Sequence, residues 1–283
     1  MCEWNEWIGR EAMRHDRVDE GHVTRWLANF DREAPADGSV PQAFHWCLCL
    51  PDAPTASLNV DGHPRRDDNP DNFMPPVDMP RRMWASSAVE FHSPLQRGEA
   101  VSRLSRVTSI RTKQGGSGSL VFVDVVHETR GTNGLAVSEV QSIVYRESAP
   151  IGSPPIPPSL GAGSFDPEPW QTHRVVTPRE PLLFRFSALT FNSHRIHYDL
   201  PYATAEEGYR GLVVHGPLTA TLLLDLARRE FGDNALKSFA FRGNSPGICG
   251  EELFLALRST GNSLELAAFG ADGRSIMSAS GTL

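Results

Sequence analysis

The sequence predicts an α+β protein built from two similar units in tandem. Three observations lead there. Each half pairs one helical apolar pattern with several alternating, strand-like runs, as expected for helices packed on antiparallel sheet. Between them, Ala149-Pro150, Pro154-Pro155-Ile156-Pro157-Pro158 and Gly161-Ala162-Gly163 make the sharpest composition shift in the chain. The 283 residues leave ample length for a buried core. The expected organisation is a first unit over 1–148, a linker over 149–170 and a second unit over 171–283.

In the first unit, Val23, Trp26, Leu27 and Phe30 fall on one helical face expected to cover a core. Residues 43–50 read as a strand ended by Pro51, with His45, Cys47 and Cys49 on one side. Those three could hold a metal, but paired C-x₂-C spacing is missing, and buried thiols are the expectation. Residues 61–80 are too rich in Pro, Asp and Asn for regular structure, and such long loops often carry function. Arg81-Arg82-Met83-Trp84 follows, either a surface basic turn or a pair of guanidinium forks for an anion. Residues 88–91, 101–107, 120–126 and 137–145 alternate as strands. Gly115-Gly116-Ser117-Gly118-Ser119 precedes a strand rather than a helix, which makes it a hairpin tip and not a phosphate cradle.

The second unit places Leu218, Leu222, Leu226 and Ala227 on one stripe of a helix over 217–231. Strands are expected over 238–242, 252–258, 263–269 and 275–280.

Composition narrows the function classes. A formal charge of -7 argues against a general nucleic-acid binder, because phosphate contacts need clustered Lys and Arg. The basic cluster Pro64-Arg65-Arg66 is cancelled at once by Asp67-Asp68. The first residues, MCEWNEWIGREAM, have no apolar core of a signal peptide, and no run approaches the roughly 18–20 apolar residues of a membrane span. Four cysteines lack the density of a disulfide scaffold, so a reducing cytoplasmic setting is expected.

Chemistry concentrates in residues 186–216, FSALTFNSHRIHYDLPYATAEEGYRGLVVHG. This window holds Asn192, His194, His197, Asp199 and His215, and ends in a glycine just ahead of Pro217. Histidine is the side chain whose ordinary pKa lies near neutrality, so His197 suits proton transfer in either direction. Proline is favoured at the first helical position, which places the Gly216 amide at a helix N-terminus, where a developing anion is stabilised. A zinc site from His194, His197, Asp199 and His215 is the rival reading. Pro201 argues against the helix that His-x-x-His would need.

The run SALTFNSHRIHYD followed by GLVVHGPL resembles the double-hotdog hydratase and dehydratase group, which includes MaoC-like enoyl-CoA hydratases and 3-hydroxyacyl-thioester dehydratases. The first-half strings Phe73-Met74-Pro75-Pro76 and Pro80-Arg81-Arg82-Met83-Trp84-Ala85 are similar to the mesaconyl-C4-CoA hydratases of that group. The resemblance spans most of residues 16–283. It implies two hotdog units, each a long helix wrapped by a curved antiparallel sheet, with a degenerate, substrate-binding first unit and a catalytic second one. It implies a hydro-lyase acting on a CoA thioester without cofactor or metal, as a monomer or homodimer.

Against the MaoC-like pattern Asp-x-Asn-Pro-(Ile/Leu)-His, His197 takes the catalytic histidine and Asn192 stands where the aspartate should be. His194 and Arg195 replace the Asn-Pro pair. The expected division of labour gives His197 the proton, Asn192 the water through its carbonyl oxygen, Asp199 or His194 the orientation of the imidazole, and Gly216 the enolate. Arg81 or Arg82 is expected to meet a substrate carboxylate. Trp84, His215, Arg195 and Arg242 are the remaining candidates for substrate contact.

Overall fold

The computed structural model describes residues 4–66, 69, 72–115, 118–148 and 152–283. Ten antiparallel strands make one continuous sheet in the order β1-β3-β4-β5-β2-β7-β10-β9-β8-β6. The first half supplies β1 (Glu11–Arg17), β2 (Arg81–Phe91), β3 (Ala100–Gly115), β4 (Gly118–Gly131) and β5 (Gly134–Arg146). The second supplies β6 (Thr172–Val176), β7 (Ser238–Gly243), β8 (Leu253–Thr260), β9 (Ser263–Gly270) and β10 (Ser275–Thr282). The halves join edge to edge where β2 pairs with β7, from Ser86↔Arg242 to Glu90↔Ser238. Each half thereby covers an edge that would otherwise present unpaired backbone groups.

Helix α1 (Glu20–Asn29) is capped by Asp19, whose side chain accepts from the His22 amide. It buries the expected Val23, Trp26 and Leu27 and packs against α2 (Glu180–Leu189), with Phe30 edge-on to Phe186. After the six-residue α3 (Leu200–Ala205) comes α4 (Gly216–Phe231), the long central helix of the second half. It carries the predicted stripe, and Leu218, Leu222, Leu223 and Leu226 are buried between it and β8, β9 and β10. The expectation of a long helix in each unit is met only in the second: among the described residues of the first half, α1 is the one α-helix and has 10 residues. The first half's sheet is covered at the far end by loop residues Phe73, Met74, Val77 and Met79, packed on Val107, Val121 and Tyr145. Replacing a helix with irregular chain leaves space beside β3, β4 and β5, and a cavity opens there.

The predicted strands over 88–145 and 238–280 form, as does the hairpin between β3 and β4, whose central Gly116 and Ser117 lie outside the described residues. Asp67, Asp68, Ala149 and Pro150 lie outside them too.

Two expectations are corrected. Residues 43–50 are not a strand: Ala43 enters at φ 82°, Phe44–Cys47 make a 3₁₀ turn, and Cys49 leaves at φ 52°. His45, Cys47 and Cys49 therefore share no strand face, and all three are buried. A short apolar run fits a buried turn as well as a buried strand, so periodicity alone could not separate them. Arg81 to Trp84 is no surface turn but the start of β2, paired with β5 from Arg81↔Arg146.

The segment read as a linker has no helix or strand among its described residues, yet it is strapped down. Ile156 bridges to Tyr209, and Phe165 stacks on Phe254 with ring centroids 4.9 Å apart.

Candidate active site

The histidine window opens in the last turn of α2. Phe191 turns the chain at φ 48°, and the Asn192 side-chain oxygen accepts the His194 backbone N–H at 3.0 Å. An N–H can only donate, so the amide must present its oxygen to it. That oxygen keeps a second lone pair and the NH₂ end has no partner among the described residues, so the side chain can offer a ligand either.

Arg195 to His197 form one 3₁₀ turn, which seats the His197 ring under the chain that leads to α4. His197 Nδ1–H donates to the Val213 carbonyl at 2.7 Å. That bond fixes the tautomer and leaves Nε2 with its lone pair unengaged. Burial, followed by the nearby His215 and His194, holds the His197 pKa well below its ordinary value, so the ring is a neutral acceptor at pH 7. The His215 ring stacks on it at 3.5 Å between centroids and 19° between planes. His215 is tied through Nε2 to the Ser187 hydroxyl at 2.8 Å, and burial, then His194, lowers its pKa to about 3. It is a platform for His197.

Residue 215 is also the N-cap of α4, without a side-chain capping bond. Gly216, the first helical residue, carries an amide N–H that no carbonyl within the helix can reach, and Pro217 has none. A Cβ on Gly216 would stand 3.8 Å from the Trp84 carbonyl oxygen, an ordinary contact. The protein's own packing does not demand a glycine here. The missing side chain leaves room for a ligand beside the helix N-terminus.

His197, His215, Gly216, Asn192 and His194 all line one cavity of about 1350 Å³. His197 and Gly216 lie at different points of the window, yet both line this cavity, and the ring stacked on His197 belongs to the residue just before Gly216. Trp84 and Arg82 line it as well. The Trp84 ring packs edge-on to Trp46 at 5.6 Å and donates its indole N–H to the Ser87 hydroxyl, so it offers the cavity an apolar face.

Four other candidates are not brought to the cavity. Asp199 caps α3 through the Tyr202 amide and pairs with Arg195 at 2.7 Å, so it does not orient His197. The Val213 carbonyl does that instead. Arg195 is used up by Asp199, by the Val60 carbonyl and by the Tyr202 ring. Arg81 is buried with its guanidinium 3.9 Å from Glu207, facing away from the cavity. Strand alternation explains why Arg82 and not Arg81 reaches it. Arg242 is exposed on β7, away from the lining.

The loop before β2 brings residues that spacing within the window could not reveal. The Asp61 carboxylate accepts both the His63 backbone N–H at 2.9 Å and its Nδ1–H at 3.0 Å. The His63 ring lies 4.2 Å from that of His194, whose own Nε2–H donates to buried Glu207 at 3.1 Å. Burial, then the charge of Arg82, lowers the His63 pKa to about 3. Burial alone would raise the Asp61 carboxyl, but the His63 hydrogen bond brings it down to about 2. The loop is nailed to the window: the Ser193 hydroxyl donates to the Gly62 carbonyl at 2.5 Å, and the Arg195 amide to the Asp61 carbonyl at 2.9 Å. Donor atoms of Asp61, His63 and His194 fall within 4.8 Å of one another, a set with metal-binding chemistry, although two of them already bond to each other. The sequence signal was an Asp-Gly-His triplet inside a long loop.

A sheet packed on a buried helix, with an unprotonated imidazole and a free helix-terminal amide sharing one cavity, is an arrangement suited to a double-hotdog hydro-lyase. The chain belongs to the hydroxyacyl-thioester dehydratase type 2 family, whose profile matches residues 43–249. It is 41% identical over 98% of its length to a mesaconyl-C(4)-CoA hydratase from Chloroflexus aurantiacus, covering 97% of that enzyme. Among solved structures it is similar to a MaoC-like dehydratase from Phytophthora capsici, with TM-score 0.69 and 16% identity over 97% of this chain and 95% of that one. A Mycobacterium tuberculosis protein with a double hotdog fold aligns at TM-score 0.56 and 12% identity, over 97% of this chain and 95% of that one. No helix among the described residues is long and apolar enough to cross a membrane.

Proposed function

We propose that the chain reversibly hydrates a branched dicarboxylic enoyl-CoA, converting mesaconyl-C4-CoA to citramalyl-CoA. The observation that carries this substrate is the near full-length identity to the Chloroflexus enzyme. Arg82 supports it separately. It is half-buried in the cavity wall close to His63, and its guanidinium has no hydrogen bond or ion pair to any described residue. A carboxylate drawn out of water needs such a cation.

In this reading His197 Nε2 takes a proton from water as the oxygen bonds to the β-carbon. The π electrons move to the thioester oxygen, where the Gly216 N–H and the dipole of α4 hold the enolate. The His197 imidazolium then returns its proton to the α-carbon. The Asn192 NH₂ donates to the incoming oxygen, and the Trp84 ring packs against the acyl methyl group. A cytoplasmic setting and a monomer or homodimer complete the proposal; buried Cys47 and Cys49, both free thiols, suit a reducing compartment.

The family description favours a second reading, dehydration of a straight-chain 3-hydroxyacyl thioester. Purified chain is offered mesaconyl-C4-CoA and crotonyl-CoA while enoyl-thioester absorbance and free thiol are followed. Faster loss of absorbance with mesaconyl-C4-CoA and no thiol supports the proposal, and preference for crotonyl-CoA supports the second reading. Thiol release would indicate a thioesterase, and binding without turnover an acyl-CoA carrier; either would refute both.

A further inference from the structure

Hydration by this site calls for a second acceptor beside His197. A water molecule has two O–H groups, and its oxygen attacks more readily when both are held by acceptors. His197 Nε2 holds one. The Asn192 oxygen already accepts the His194 amide and its NH₂ only donates, so an acceptor with no bond of its own is better placed to hold the other.

We propose that His63, braced by Asp61, is a catalytic residue whose Nε2 accepts the second hydrogen bond of the attacking water. The attacking water would then be held between two imidazoles contributed by the two halves of the chain, with only His197 moving a proton. This rests on the hydro-lyase reading given above.

Four observations carry it. Asp61 grips His63 at two points, backbone amide and Nδ1–H, which fixes both the ring orientation and the tautomer that keeps the Nε2 lone pair free. Nε2 has no partner among the described residues, although the residue lines the cavity. The ring lies against His194, which is edge-on to His197 at 5.6 Å, so the His63 and His197 rings flank His194 in one cluster. Arg82 stands on the same side, and in a dicarboxylic substrate of this kind the carboxylate it would bind is attached to the β-carbon, the atom water attacks. A loop that served only to close the fold could be pinned by its backbone bonds to Ser193 and Arg195 without burying an Asp-His pair.

Atoms balance as follows. The O–H bond facing His197 breaks and its proton goes to Nε2 of that ring. The oxygen lone pair forms the C–O bond at the β-carbon, and the imidazolium later protonates the α-carbon. The O–H facing His63 stays intact and becomes the product hydroxyl.

The test compares wild type, His63→Leu, His63→Gln and Asp61→Asn in steady-state hydration and thermal melting. Gln can place an amide oxygen near the Nε2 position, whereas Leu cannot. Expected are a kcat loss of about 10²-fold for His63→Leu with KM within threefold and an unchanged melting midpoint, recovery of about tenfold in His63→Gln, and a loss of about tenfold for Asp61→Asn. A His63→Leu variant with kcat within twofold of an active wild type would overturn the proposal. So would equal loss in Leu and Gln variants with a matching drop in melting midpoint. Activity abolished by a chelator and restored by zinc would also overturn it, making Asp61, His63 and His194 a metal centre. A wild type that hydrates no enoyl-CoA would overturn the hydro-lyase reading and this proposal together.

Discussion

Gly62→Ala tests whether docking of the 59–66 loop on the histidine window builds the active cavity. Gly62 has φ +88°, and a Cβ added there would overlap the Ser193 carbonyl, falling 2.8 Å from its carbon and 3.4 Å from His194 Cα. All of these are backbone atoms, so no side-chain rotation relieves the clash. The left-handed conformation alone costs an alanine about 1–2 kcal/mol. The loop can escape by giving up its bonds from Ser193 Oγ, the Arg195 amide and the Arg195 guanidinium, each worth about 0.5–1.5 kcal/mol. The three together, roughly 1.5–4.5 kcal/mol, cost less than forcing the clash, so the loop should lift while the sheet and α4 hold. Enoyl-CoA hydration and thermal melting are measured together. Expected are a kcat loss of 10²-fold or more, at the level of general acid–base loss, with far-ultraviolet dichroism retained. Unchanged kcat, KM and melting midpoint would refute the docking.

The other predictions follow from individual side chains. His197→Ala should lower kcat by about 10²–10⁴-fold with little change in KM, measured on the preferred enoyl-CoA; an effect on KM alone would remove His197 from proton transfer. Arg82→Met should lower kcat/KM for a dicarboxylic substrate by about 10–100-fold and spare crotonyl-CoA, because only the former has a second charge to bind. Arg81→Met should do the reverse, sparing both substrates' kinetics while costing on the order of 3 kcal/mol by leaving buried Glu207 without its cation. Stability should fall in mild acid. The folded-state pKa values of His63 and His215 are about 3 and that of His127 about 4, with His197 also well below its ordinary value. Above pH 6.5 these rings are neutral folded or unfolded. As pH drops toward 3 the unfolded chain takes up protons the native state refuses, at about 2 kcal/mol per ring between pH 7 and pH 5. The melting midpoint should therefore fall steeply over that interval, and a flat profile would contradict the buried neutral rings.

Helix α4, the strands from β3 to β5 and those from β7 to β10 were legible because each has one buried face whose period shows in the residues. Polar edge strands hid from the same reasoning. β1, EAMRHDR, exposes nearly every side chain and is held by its backbone pairing to β3, which leaves no apolar alternation to detect. Within the site, His197 and Gly216 stood out because a helix N-terminus with a histidine upstream is a local arrangement. Asp199 misled for the converse reason: its nearness to His197 in sequence was taken as nearness in function, and the chain turned it outward to cap α3.

By itself the sequence determined the α+β class, the principal strands, the central helix and the imidazole beside the helix terminus, since each depends on residues within a few positions of one another. Tertiary structure decided which arginine faces the cavity, which carbonyl orients His197, and that a His-Asp pair from residues 61–63 joins a window more than 120 residues away. Those outcomes depend on which surfaces of the two halves meet across the β2–β7 seam and beneath the long loop. Contacts between distant segments arise from packing, and no local periodicity encodes them.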